Sequence, residues 1–181
     1  MHTFHSRQWL PLPAELVFAF FANPANLPRL MPAWQRTRIE EATIVSPPPS
    51  LSPSALAEAL SPFAAGAGTR LTLSFRPIPF SPVRFKWQAE IDSFTWNHQF
   101  SDVQLRGPFA HWHHTHTLVS ETLIGESGNA IPGTLVRDEV QYQLPLGKLG
   151  DLAHPMIARQ LRRTFDYRHR RTRELLAAAV P

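Results

Sequence analysis

Four histidines crowd six residues of the stretch Ala110–Leu118, AHWHHTHTL, and further along an aspartate, Asp138, stands alone in an apolar pattern. A strand turns alternate side chains to opposite faces. If this stretch is a strand, Trp112, His114, His116 and Leu118 share one face, and His111, His113, Thr115 and Thr117 share the other and meet solvent. The later run Thr134–Leu144 puts Val136, Asp138, Val140, Tyr142 and Leu144 together, a buried face by composition that carries one carboxylate. An aspartate there is costly unless it is paired. His114 or His116 is a suitable partner, provided both strands lie in one sheet.

Three kinds of chemistry fit such a set. The groups can form a satisfied buried network that fixes strand register. They can line a cavity and orient a ligand carbonyl or hydroxyl, or act as an acid–base pair. As His-x-His with an aspartate they offer three metal ligands, but nothing in the sequence makes these converge. We assign no metal and no cofactor. For catalysis, a histidine held by Asp138 would be the base and Arg106 would stabilise a developing oxyanion, a set suited to aldol-type cyclisation or dehydration. Phe85 and Trp87 read as core, and Tyr142 as a cavity residue with a polar tip.

The elements that must position these groups follow from periodicity and punctuation. Thr3–Leu10 reads as a strand ended by Pro11 and Pro13, with Pro13 opening a helix that runs to Ala22 with Glu15 near its positive end. Asn23-Pro24 stops it, and Asn26 caps a short second helix through Arg29. Thr37–Val45 reads as a strand whose alternation breaks at Glu40-Glu41. Residues 46–68 turn to Pro, Ser, Ala and Gly, a surface insertion or a lid, with a helical turn over Ser54–Leu60 capped by Ser52 or Ser54. Thr69–Arg76 and Val83–Phe94 alternate strongly across a proline-rich turn. Phe100, Asp102, Gln104 and Arg106 share a face of the next strand, which Gly107-Pro108 joins to the histidine strand as a hairpin. A turn at Gly125–Gly128 precedes the Asp138 strand.

After Gly147 the chain reads as helix nearly to its end. Leu149, Leu152, Met156, Ile157, Leu161 and Phe165 form its stripe, and Pro155 is either a kink or the first turn. A bent antiparallel sheet with this helix across its concave face is the natural packing, and a ligand belongs between them.

Composition bounds the class. One domain over residues 1–181 can bury roughly 70% of its unfolded surface. Charged residues are 18% and hydrophobic ones 43%, so neither disorder nor a membrane protein is indicated. The apolar run Leu16–Ala22 is too short to span a bilayer, and no integral membrane segment is expected. No export signal is recognisable, so the cytoplasm is expected. Without cysteine there is no thiol chemistry. The net charge of +4 gathers in arginines from Arg159 to Arg173. Lacking interleaved aromatics, they read as the solvated face of a helix, and no nucleic-acid partner is expected.

The element order, with Leu12-Pro13 to Val17-Phe18, Asn26-Leu27 to Met31-Pro32, Phe100, Asp102, Arg106 to Phe109, Trp112, His114, His116, Asp138, Tyr142, Leu144-Pro145, Gly147 and Phe165 to Arg168, resembles the SRPBCC superfamily. That superfamily holds the START lipid-transfer domains, the Bet v 1 allergens and the polyketide cyclase/dehydrases. The likeness is strongest to bacterial ligand-binding members labelled cyclase/dehydrase, and it omits residues 46–68. It implies an α+β helix-grip fold, a curved antiparallel sheet of about six to seven strands wrapped around a long C-terminal helix, with two short helices after the first strand. It also implies a site for a hydrophobic or amphipathic small molecule, lipid, quinone or polyketide-like, in a monomer or homodimer. Trp87, Phe100, Asp102, Gln104, Trp112, His114, His116, Asp138, Tyr142, Met156 and Leu161 would contact it. A cyclase/dehydratase using His114, His116, Asp138 and Arg106, or a protein-interaction domain with a vestigial cavity, are the alternatives, because fold alone does not fix function.

Overall fold

The computed structural model describes residues 1–50 and 53–180. Seven strands form one antiparallel sheet: β1 (His2–Leu10), β2 (Arg38–Thr43), β3 (Arg70–Phe75), β4 (Phe85–Thr95), β5 (Gln99–Arg106), β6 (His111–Ile124) and β7 (Ala130–Gln143). Their order across the sheet is β1-β7-β6-β5-β4-β3-β2. The first two strands of the sequence therefore lie at opposite edges. The connection between them holds helix α1 (Ala14–Ala22) and two short 3-10 turns, Pro24–Leu30 and Ala33–Gln35.

Helix α1 begins after Pro13, whose fixed φ suits a helix start, and carries Glu15 in its first turn. It has almost no polar face: Leu16, Val17, Phe18, Ala19, Phe20 and Ala22 are all buried. Such a helix must be covered on several sides. Val17, Phe18 and Phe20 join Leu10, Leu30, Phe100, Leu118, Val136, Leu175 and Leu176 in the main core. Leu16 and Ala19 instead meet Ala57, with Leu56, Leu60 and Val180 beside them. Those contacts anchor the insertion, whose helix α2 (Ala55–Leu60) is capped by the Ser54 hydroxyl accepting from Ala57 N at 3.2 Å. Ser52, the other expected cap, lies outside the described residues.

The alternation break at Glu40-Glu41 is a register shift between Ile39 and Glu41, the irregularity that an extra residue puts into an antiparallel pair. Strands β6 and β7 run beyond the expected limits of Leu118 and Thr134, pairing as far as Ile124 with Ala130, where their side chains are largely exposed. Past Gln143 the helical region is two pieces, α3 (Lys148–Asp151) and α4 (His154–Ala179). Pro155 stands in the first turn of α4, where its missing N–H costs nothing, so it marks a start rather than a kink. The expected apolar stripe divides at this junction. Ile157, Leu161 and Phe165 pack with Trp112, Val140, Tyr142 and Leu144, while Leu149, Leu152 and Met156 remain exposed.

Candidate functional site

Strand pairing brings the titratable groups together. His116 stands directly opposite Asp138 across β6 and β7, and Asp102 directly opposite His114 across β5 and β6. All four point to the sheet face that α4 covers. His114 Nε2 is 3.1 Å from Asp138 Oδ1 and its Nδ1 is 3.5 Å from Asp102 Oδ1, so one imidazole bridges two carboxylates. His116 Nδ1 lies 2.6 Å from the same Asp138 oxygen but outside hydrogen-bond geometry, which makes that contact electrostatic. His114, His116 and Asp138 are almost wholly buried, and Asp102 keeps 25% side-chain exposure.

Burial alone would discharge every member of this quartet. For His114 it is outweighed by the Asp102 carboxylate 3.5 Å away and by the hydrogen-bonded Asp138, and the pKa is raised. For His116 burial prevails, assisted by the His114 charge, and the pKa falls to about 4. Burial also opposes the two carboxylates, but His116 and His114 against Asp138, and His114 with Arg168 against Asp102, hold both below the usual range. The directions of these shifts favour two carboxylates, a protonated His114 and a neutral His116. Arg168, held at 5.0 Å over the Phe165 ring, supplies the remaining positive charge.

Aromatic rings seal the quartet. Phe100 stacks on His116 at 4.3 Å, Phe21 lies 5.8 Å from it, and Phe165 meets His114 edge-on at 5.6 Å. Towards the β6 start, Trp87 stands edge-on to Trp112 at 4.8 Å and Phe109 packs on Trp112 and Tyr142. The Trp112 indole N–H is buried without an acceptor, a donor whose desolvation is uncompensated.

Phe165 separates the quartet from a groove of about 460 Å³ between β1 and the first half of α4. Phe4, Tyr142 and Phe165 give it apolar surface, with Phe4 and Phe165 centred 5.0 Å apart. Arg162 gives it a cation, and His154, His169, Thr3, His5, Ser6, Arg7 and Asp166 make the rest of its lining predominantly polar. The Tyr142 hydroxyl is 3.1 Å from His154 Nδ1, and Ser6 Oγ is 3.1 Å from His169 Nε2. A second depression of about 540 Å³ is lined by the outward-facing Thr115, Thr117 and Arg137 and also borders Asp138 of the quartet.

Among the residues singled out from sequence, Phe100, Asp102, Trp112, His114, His116 and Asp138 converge, and Tyr142 reaches the groove. Trp87 and Leu161 belong to the aromatic core beside it. Gln104 closes the hairpin turn instead, its amide donating to Phe109 O at 2.8 Å and accepting from Phe109 N. A side chain at Gly107 would collide with that amide. Met156 is 67% exposed, and Arg106 lies exposed at the end of β5, four residues and about 13 Å along the strand from Asp102. The cation near the quartet is Arg168, and the groove groups from α4 were not singled out. Their signal is a row at helical spacing, His154, Ala158, Arg162, Asp166, easily taken for part of a solvated arginine face.

His113, on the outer face, lies 3.4 Å from Asp92. Among the described residues, Asp102, His114 and His116 each bring one ligand atom within 4.8 Å of the others, the spacing that a metal ion would need. A metal would have to displace the proton of His114, which two carboxylates retain. The donor set is therefore better matched to its internal ion pairs.

The sequence family described as polyketide cyclase / dehydrase and lipid transport matches over residues 10–167. The chain belongs to this family. It shares the helix-grip architecture with several solved structures. The protein TTHA0849 from Thermus thermophilus is 17% identical with a TM-score of 0.64, covering 99% of this chain and 100% of its own. A START superfamily protein from Mycobacterium smegmatis is 11% identical with a TM-score of 0.57, covering 98% and 99%. Ara h 8.0201 is 14% identical with a TM-score of 0.54, covering 94% and 97%. At these identities the likeness is one of fold. Among curated proteins none matches the sequence.

Proposed function

We propose that this polyketide cyclase / dehydrase family member binds an amphipathic small molecule, with an apolar body and one anionic or hydrogen-bond-accepting end, in the groove between β1 and α4. The observation that carries the reading is the pairing of Phe4, Tyr142 and Phe165 with Arg162, His154 and His169 around one space of about 460 Å³. That volume lies in the range of small-molecule sites; its lining is mostly polar, so the Phe4, Tyr142 and Phe165 surface would take the apolar body and the surrounding polar side chains would fix its orientation. The quartet beneath Phe165 serves this reading as a rigid charged floor.

Binding is favoured over cyclase or dehydratase chemistry because His114 and His116 are 4% exposed and covered by rings, whereas a general acid must come within hydrogen-bond reach of its substrate. Arg106, the expected oxyanion partner, stands apart from them.

Native mass spectrometry of the purified chain, with identification of any molecule released on denaturation, gives the ligand class. Anilinonaphthalene sulfonate, an aromatic with one sulfonate, serves as the probe. Ala158→Trp, which fills the groove from a partly exposed helix position, should weaken the probe at least about tenfold while thermal stability is kept. Unchanged affinity in that variant would remove the groove from consideration. Turnover of a released ligand that is lost in His114→Gln while binding persists would establish the enzymatic alternative.

A further inference from the structure

One end of the sheet presents apolar side chains to solvent in a way that packing does not explain. The strand register places three connections at this end. Phe75 pairs with Phe85, Gln88 with Arg106, and His111 with Gln143, so the β3–β4 loop, the β5–β6 turn and the segment from β7 into α4 lie side by side. From the first project Ile78 at 63% exposure, Phe80 at 95% and Val83 at 58%; from the last, Leu146 at 81%, Leu149 at 73% and Leu152 at 79%. Scattered exposed leucines are ordinary, but large apolar residues gathered on adjoining loops mark an interaction surface.

Two further observations indicate what meets it. Phe80 and Leu146 hold φ of 63° and 68°. Bulky residues avoid this left-handed region, and here the backbone strain accompanies the most exposed side chain of each loop. The accompanying charge is mainly positive. Lys86, Arg106 and Arg159 are exposed near this end, with Arg76 and Arg84 behind them; the acids here are Asp151, 2.8 Å from His2, and Glu40, which shares the Ser74 hydroxyl with Arg84.

We propose that this end of the molecule docks on the surface of an anionic phospholipid bilayer, the loop tips entering the interface and the basic side chains meeting the headgroups. Apolar tips within a positive collar complement a layer that is apolar below and negative above. Among the described residues no helix is long and apolar enough to cross a membrane, and docking by loops needs none. The inference does not depend on the groove being a ligand site.

The test is co-flotation of the full chain with phosphatidylcholine vesicles, with and without about one-third phosphatidylglycerol, at low and at 1 M salt. The chain should float with anionic vesicles, bind neutral ones at least about tenfold more weakly, and be released by salt. Phe80→Ser combined with Leu149→Ser and Leu152→Ser should reduce binding to anionic vesicles at least about tenfold with the melting temperature unchanged, since all three side chains are exposed. Lys86→Gln with Arg159→Gln should lower anionic binding and leave the apolar tips intact. No flotation with anionic vesicles, or equal flotation of the triple variant, overturns the proposal. So does a concentration-dependent dimer in sedimentation that the triple variant abolishes without vesicle binding, which would assign the face to a second copy of the chain. Probe binding measured without vesicles responds to Ala158→Trp and not to these loop variants, so failure here and failure of the groove reading are separable.

Discussion

With almost no solvent around it and the His114 charge beside it, protonation of His116 is costly in the folded state even though Asp138 Oδ1 lies 2.6 Å from its Nδ1. Its folded pKa of about 4 lies below the 6.5 of the unfolded chain, so on acidification the unfolded state takes the proton first. The associated stability is complete above pH 6.5 and is lost as pH falls towards 4, up to about 3 kcal/mol. His114 has the opposite sign: its raised pKa makes its contribution complete below 6.5 and lost as pH rises through the folded value. Asp102 and Asp138, both depressed, contribute above 3.8 and lose that contribution as pH falls through their folded pKa values. Denaturation across pH should therefore show an acid limb between 6.5 and 4 that disappears in His116→Gln; a limb that survives would contradict the assignment of the neutral histidine. Asp138→Asn strands the His114 cation between one carboxylate and an amide, and should cost about 3–5 kcal/mol in urea denaturation at pH 7. A cost below about 1 kcal/mol would mean the pairing is dispensable.

The strands carry the quartet, and their spacing is set by a few close approaches. At Gly133 of β7, a Cβ would come within 2.5 Å of both Leu10 O and the Trp9 ring of β1. A backbone carbonyl cannot yield as a flexible side-chain end can, so Gly133→Ala must push β1 away from β7. Overpacking of this kind costs about 1–3 kcal/mol, and β1 is the edge strand that walls the groove. The variant should lose thermal stability and probe affinity together; full affinity with reduced stability would show that the groove does not depend on that edge. Helix α4 is the other wall. Its Gln8 contact, the side-chain amide donating to His169 O at 2.8 Å, and its Phe165 contact with Phe4 fix its distance from β1.

At the scale of the whole molecule, the two ends of the sheet differ. The end near α1 holds the dense apolar core of Val17, Phe18, Leu118 and Leu176, and the opposite end carries the exposed apolar loops beside the groove. Much of this was legible in sequence because it is local. The pleat alone put His114 and His116 with Trp112 and turned His111 and His113 away, and the lone Asp138 required a partner on the same face. Proline and glycine placed the turns and the start of α4, and the element order brought the helix-grip family into view. Sequence periodicity does not measure cover, so Leu149, Leu152 and Met156 read like Leu161 although no element packs over them. Nor does it encode distance between elements. Only the tertiary structure decided that Asp102 and Asp138 share one histidine, that Arg168 and not Arg106 supplies the nearby cation, and that Phe165 stands between the buried charges and the groove. The physical reason is that alternation fixes which face a side chain takes, while register between strands and the placement of α4 fix which side chains meet.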